Sequence, residues 1–232
     1  MKHGKKYRDA LGKIDASKRY SLAEAAELVK AASTSKFDGS VEIHLNLGID
    51  TTQAEQQLRS TVSLPHGTGK TVRVIAIVGE DKVKEAKAAG AIEAGADELI
   101  EKIEKGWLDF DVAVATPDMM KNLAKVARQL GQAGLMPNPK SGTVTPDIGA
   151  KVSEVMKGQV EFRNDKLGNL HNTVGKVSFS AKQIEENVAA YLKAVNEKRP
   201  ASIKGNFINS ITLAPTMGPA VKVVVNETLN SL

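Results

Sequence analysis

Two styles of sequence in one chain predict an α+β domain built from both ends and interrupted by an inserted α/β domain. Residues 1–66 and 159–232 share alternating strands, amphipathic helices and surplus positive charge. Residues 67–158 instead alternate nearly continuous apolar runs with helical stretches, the pattern of strands buried on both faces. The split domain is expected to be two-layered, an antiparallel sheet with helices. The insert is expected to be a three-layer, Rossmann-like α/β unit. Chain crossings near residues 66–68 and 157–159 would act as a double hinge.

Charge follows the same division. Residues 1–66 hold ten Lys or Arg against eight Asp or Glu, residues 67–158 thirteen against thirteen, and residues 159–232 nine against six. The net charge of +5 therefore resides in the two ends, which suggests that they face a polyanion together. With 41% hydrophobic and 25% charged residues, the 232-residue composition is that of a soluble globular protein. Neither an apolar run long enough to span a bilayer nor a signal-peptide core after Met1 is expected. Cysteine is absent, which removes disulfides, thiol nucleophiles and thiolate-held zinc and fits a reducing cytosol.

Met1–Arg19 carries seven Lys or Arg against Asp9 and Asp15, either as a solvated terminus or as an arm neutralising phosphates. Ser21 and Glu24 form a capping box for a helix to about Ala32, with Leu22, Ala25, Ala26 and Val29 on one face. Phe37, beside Lys36 in the polar loop that follows, is either a core anchor or an exposed ring for stacking. Val41–Leu47 alternates strictly and reads as a strand with His44 on its polar face.

In the middle block, strands are expected at Val72–Val78 and Asp111–Ala115, and helices at about Asp81–Ala89 and Glu98–Ile103. Thr116-Pro117 would start a helix running to Leu130. Gly134–Pro146 holds three prolines and two glycines and is expected to be a fixed, extended loop in which Leu135 and Met136 find a partner surface. Asp147 caps a helix to about Lys157. Val160–Arg163 and Val174–Phe179 are expected as a hairpin about the turn Asn164–Gly168. Ser180 and Gln183 form a second capping box, ahead of a helix with Ile184, Val188, Tyr191, Leu192 and Val195 in its buried stripe. Phe207–Leu213 and Val221–Val225 complete the strands, separated by a loop of small residues that carries Met217.

No catalytic constellation emerges. The four histidines, His3, His44, His66 and His171, have no metal-ligand spacing, and no nucleophile elbow, zinc-protease motif or dinucleotide fingerprint is present. Gly67-Thr68-Gly69-Lys70-Thr71 looks like the tail of a phosphate-binding loop. Leu64 stands where its first glycine belongs, and the strand follows the loop instead of preceding it, so a hinge is expected.

Gly134-Leu-Met-Pro-Asn-Pro-Lys140 followed by Gly142-Thr-Val144 resembles the signature of the large-subunit ribosomal protein L-one family, the protein of the mobile stalk. The likeness extends over nearly the whole chain. It includes Lys36-Phe-Asp38, Leu47-Gly-Ile-Asp50, Leu64-Pro-His-Gly-Thr-Gly69, Phe110-Asp111 and Ala115-Thr-Pro-Asp118. It continues through Phe162-Arg-Asn-Asp-Lys166, Val174-Gly-Lys176 and Thr216-Met-Gly-Pro219.

The resemblance implies a split RNA-binding domain with an inserted domain, and RNA contacts at Glu27, Lys36, Phe37, Asn164, Asp165, Lys166, Ser210, Thr216, Met217 and Gly218. In that reading Phe37 and Met217 offer apolar surface to a base or sugar, Thr216 and Ser210 offer hydroxyls, and Gly218 allows close backbone approach. Lys36 and Lys166 would neutralise phosphates. It further implies large-subunit ribosomal RNA as partner, exit-site tRNA nearby, and repression of translation through the protein's own mRNA leader. No enzyme activity, catalytic residue, metal or cofactor is implied, nor any membrane. The protein would be cytoplasmic, ribosome-associated, and a monomer when free.

Three segments depart from the family pattern. Gln132-Ala133 stand where Pro-Arg is common, Thr51–Gln53 replace a segment that is often basic, and Pro215 stands where Thr is usual. The alternative class is a nucleotide-binding enzyme built on the inserted domain and dependent on Lys70, and an adaptor using Leu135 and Met136 is a third.

Overall fold

The computed structural model describes residues 4–230, so Lys2 and His3 lie outside the described residues. In chain order, α1 (Lys5–Leu11), α2 (Leu22–Ala31), β1 (Ser40–Leu47) and β2 (Arg59–Ser63) come first. The elements β3 (Val74–Ile77), α3 (Glu80–Ala88), β4 (Glu93–Gly95), α4 (Asp97–Glu104), β5 (Val112–Ala115), α5 (Ala127–Ala133) and α6 (Ile148–Met156) follow. The chain ends with β6 (Gln159–Arg163), β7 (Asn169–Lys176), α7 (Ala181–Glu197), β8 (Ile208–Pro215), β9 (Val221–Val223) and α8 (Val225–Asn230). Sheets and helices mix throughout, and the chain divides into two compact units, Met1–Gly69 with Val160–Leu232, and Lys70–Gln159.

The first unit is organised on an antiparallel four-stranded sheet in the order β7-β1-β8-β9. Strand β1 alternates between buried and partly exposed positions along its whole length, with Val41, Ile43, Leu45 and Leu47 buried. Helices α2 and α7 join those residues in one core through Ala25, Ala26 and Val29 and through Ile184, Val188, Tyr191, Leu192 and Val195. Each helix starts on a capping box, Ser21 with Glu24 and Ser180 with Gln183, which satisfies amide donors that the first turn leaves free. Tyr191 packs edge-on against Phe162 at 5.7 Å and donates its hydroxyl to Asn172 Oδ1 at 2.8 Å, while burial pushes its ionisation up.

The expected hairpin of residues 160–179 does not form. Strand β6 pairs with β2 in a separate two-stranded sheet, whereas β7 pairs with β1. The turn between them causes the divergence. Asn164 exchanges hydrogen bonds with Leu58 (its amide to Leu58 O at 3.1 Å, its Oδ1 from Leu58 N at 2.7 Å), and this anchors the end of β6 beside β2. Strand β2 itself, Arg-Ser-Thr-Val-Ser, buries only Val62, so it has almost no periodic signal and owes its form to its partner.

The second unit is a parallel three-stranded sheet in the order β4-β3-β5. Strand β3 is fully buried, as a strand covered on both faces must be. Ile75 and Ile77 join Leu99, Ile100, Ile103, Leu123 and Leu130 on one side, and Val74 and Ala76 join Ala86, Ile148, Val152 and Val155 on the other. Instead of a helix from residue 117 to 130, two 3₁₀ turns (Pro117–Met120 and Asn122–Lys125) precede the short α5. The apolar residues Met120, Leu123 and Val126 recur every third position, which matches the 3₁₀ repeat rather than the α repeat. Leu135 and Met136 pack against the same cluster, and Val144 makes a parallel bridge to Ala115. The Pro-rich stretch therefore extends the core of its own unit.

Two polar groups, one fully buried and one partly exposed, set measurable expectations. Asn187, fully buried on α7, accepts from His66 N at 3.0 Å and donates to Gly67 O at 2.9 Å and Val174 O at 2.8 Å. Asn187→Ala leaves those three backbone groups unpaired and should lower stability by roughly 3 kcal/mol in urea denaturation. Asp111 accepts from Lys70 Nζ at 2.7 Å, Arg73 N at 3.0 Å and Arg73 Nε at 3.2 Å. Burial opposes its ionisation, but these donors outweigh it and hold its pKa at about 2. Its folded pKa lies below the unfolded value, so its contribution is present above the usual carboxylate pKa and is lost as pH falls through about 2. Asp111→Asn should cost about 1–2 kcal/mol near neutral pH, with the difference from the parent shrinking in acid melts.

Candidate nucleic-acid interface

Pairing within the sheet sorts the polar side chains of the first unit onto the face opposite the helices. Directly opposed residues share a face, so Glu42 stands with Thr173 and Ala214, His44 with His171 and Thr212, and Asn46 with Asn169 and Ser210. This face has two ends, and each carries part of the expected site.

At the Ser40 end, the loops 33–39 and 215–219 are joined to each other and to β1. Thr34 donates its hydroxyl to Met217 O at 2.6 Å, and Thr216 donates its amide to Ser40 O at 3.0 Å. The Thr216 hydroxyl lies 3.1 Å from both Ser40 O and Glu42 Oε1. The amide of Gly218 closes a tight turn on Pro215 O at 3.0 Å, so the unusual proline ends β8 in a defined turn. A Cβ at Gly218 would lie 2.6 Å from Ala32 O and 2.5 Å from Pro215 Cγ, so only glycine lets this turn sit against the end of α2. Lys36 and Thr216 are exposed at this end, and so are Phe37 (63%) and Met217 (59%), two large apolar side chains. Glu27 lies on the solvent side of α2, about one turn before the helix ends.

At the Leu47 end, Ser210 is exposed on β8 opposite Asn46, and the turn Asn164–Gly168 abuts β1 through Leu47 N donating to Gly168 O at 2.9 Å. Asn164 and Asp165 build this turn. Asn164 holds Leu58, and Asp165 Oδ1 accepts from Leu167 N at 2.8 Å and Asn169 N at 2.7 Å. The hydrogen bond from the Asn169 backbone N–H is the main reason that the Asp165 carboxyl is held below the usual range, against the opposing effect of burial. Lys166 and Leu167 are the exposed side chains at the tip, and Leu167, at 80%, is the most exposed large apolar residue of the described chain. Sequence reasoning passed over Leu167 because leucine in a turn carries no periodic signal. It also passed over Glu42 and Thr34, which hold the Thr216–Met217 loop.

In the second unit, Lys70 is bound to Asp111 and no helix follows the Gly67–Thr71 stretch, so the phosphate-loop resemblance has no structural counterpart. Gln132 and Ala133 are exposed at the end of α5. Among the described residues no group of three or more His, Asp or Glu is placed to hold a metal ion. No described helix is long and apolar enough to cross a membrane.

The model of the ribosomal protein L1p/L10e family matches residues 29–219. Curated relatives match along almost the whole chain. The protein named large ribosomal subunit protein uL1 of Kosmotoga olearia is 49% identical over 222 residues, 96% of each chain. The protein of the same name from Fervidobacterium nodosum is 51% identical over 226 residues, 97% of this chain and 96% of its own. That of Chloroflexus aurantiacus is 53% identical over 225 residues, 96% and 95% of the two chains. Matches of this extent reach well beyond the signature segments and include both ends of the sheet face, so this chain belongs to the ribosomal protein L1p/L10e family.

Proposed function

We propose that this protein is a structural RNA-binding component of the large ribosomal subunit, cytoplasmic and ribosome-associated, that holds the ribosomal RNA of the mobile stalk near the site where deacylated tRNA leaves. Binding is carried by the split domain of residues 1–66 and 159–232, and residues 67–158 form an inserted, Rossmann-like domain. The observation that carries this reading is the joined pair of loops presenting Phe37 and Met217 beside Lys36 and the Thr216 hydroxyl. Exposed aromatic and thioether groups, held by a hydrogen-bonded frame, suit an unstacked base or ribose, and hydroxyls suit the 2′-OH. The names of the relatives, all large-subunit ribosomal proteins, support the same assignment.

The amphiphilic composition of this patch sets an expected signature. With Lys36 and Lys166 as the main phosphate contacts, the salt dependence should be shallow, a slope of roughly −1.4 in log–log form for two contacts to single-stranded RNA. In titrations of ribosomal stalk RNA, Phe37→Ala and Met217→Ala should each weaken binding by ~1–3 kcal/mol without a matching loss of stability. Weak binding that is equal on random RNA and indifferent to both substitutions would leave only a charged surface, and the reading would fail.

The same surface also serves, in this proposal, to repress translation by binding a similar RNA fold in the protein's own mRNA leader. Scrambling the stem of that leader in a reporter should abolish repression. Expression that stays repressed after scrambling would remove this second role.

A further inference from the structure

The two ends of the open face are joined by a row of side chains that the RNA-binding reading has not used. His44 on β1 and His171 on β7 face each other with Nδ1 atoms 2.9 Å apart and ring centroids 5.1 Å apart. One Nδ1 must donate and the other accept, so the pair in this geometry is neutral or carries a single extra proton. Each outer nitrogen points toward a carboxylate, His44 Nε2 at 3.8 Å from Glu42 Oε2 and His171 Nε2 at 3.7 Å from Asp165 Oδ2. Both separations exceed hydrogen-bond length, so the outer nitrogens remain open to a closer acceptor.

Resting on the reading above, we infer that His44 and His171 form a proton-accepting subsite for an RNA backbone phosphate, midway between the Thr216–Met217 loop and the Asn164–Lys166 turn. The row continues across the sheet, with His44 opposite Thr212 and Thr212 opposite Lys222. Two imidazoles, a hydroxyl and an ammonium thus line one rung spanning four strands, roughly 14 Å at the usual strand spacing. An RNA segment that touches both ends of the face must cross this rung.

The charges around the pair explain why it waits for a ligand. Glu42 on β1 and Asp165 before β7 are the acidic neighbours, and Glu42 is already engaged by Thr216. Lys176 on β7 donates to Ser40 Oγ at 3.0 Å, Lys222 on β9 donates to Ala16 O at 3.3 Å, and the β8 positions on this face, Ser210, Thr212 and Ala214, bring no charge. Burial, then the charge of His171, lower the pKa of His44 below its ordinary 6.5, and Glu42 opposes them only in part. The free protein therefore disfavours an imidazolium at His44 near neutral pH. A phosphate on the rung supplies the missing negative charge, raises the affinity of the pair for a proton and makes binding take one up. By linkage, affinity then rises as pH falls, by at most tenfold per pH unit for one proton.

The test uses the full chain and ribosomal stalk RNA at constant ionic strength. Affinity should rise about fivefold between about pH 8 and about pH 6. Calorimetry in two buffers of different ionisation heat should register net proton uptake. His66 pairs with Glu186 elsewhere on the unit, so His66→Gln should keep both effects. The double variant His44→Gln/His171→Gln, which retains polarity and cannot take the charge, should lose both. RNA binding that is tight, flat with pH and free of proton uptake overturns this inference and leaves the RNA reading standing. Uptake that survives in the double variant also overturns it. Absence of RNA binding at every pH sinks the reading and the inference together. If the double variant fails to fold, the single variants His44→Gln and His171→Gln decide the matter: each should lose the uptake, and uptake that survives in both overturns the inference.

Discussion

The first unit depends on one strand having both of its edges filled from a distant part of the chain. Strand β1 comes from the first fifty residues, and its neighbours β7 and β8 come from beyond residue 168. A strand whose inward side chains are Val41, Ile43, Leu45 and Leu47 needs a covering layer, and its backbone groups need partners on both sides. Both requirements are met only when the two chain ends meet. The pairing that closes the unit also sorts Glu42, His44 and Asn46 onto the opposite face, together with residues delivered by the returning strands. Folding and assembly of this polar face are thus one event, because a strand has only two faces and one is committed to the core.

The candidate interface gains its definition from hydrogen bonds that cross long sequence separations. The Thr34–Met217 and Thr216–Ser40 bonds bring residues about 180 positions apart into one frame. Gly218 belongs to this frame for a steric reason, since any side chain there would strike the backbone at the end of α2. Such a frame presents Phe37 and Met217 to solvent without leaving their backbone loose. That arrangement suits recognition of a flexible single strand, because the protein side has little order left to acquire on binding.

The stretch where the two units join shows why a partial motif carries little weight. Gly67–Thr71 resembles only the tail of a phosphate loop, and the chain around it sends Lys70 to Asp111 at the base of β5. There the lysine helps to keep a half-hidden carboxylate ionised and to anchor Arg73 at the entry to β3. A phosphate loop works through amides at the start of a helix, and here the glycines lead into a strand.

Several features were legible in the residues alone. The strict alternation of 41–47, the capping boxes at Ser21 and Ser180 and the stripe from Ile184 to Val195 each rest on short-range rules of geometry, and each appears in place. The family resemblance singled out the loop residues Phe37 and Met217, and both side chains are exposed. What the sequence could not express was pairing. Whether 160–163 joins 169–176 or 59–63 is decided by where Asn164 finds Leu58, and a polar strand such as Arg59–Ser63 has no pattern until its partner arrives. The meeting of His44 with His171 is of the same kind, 127 residues apart in the chain and 2.9 Å apart in the sheet. Local periodicity and capping determined the strongly patterned elements, β1, α2 and α7, and only the tertiary structure made a strand of 59–63 and decided which side chains share a face, because register is a property of two strands and not of one.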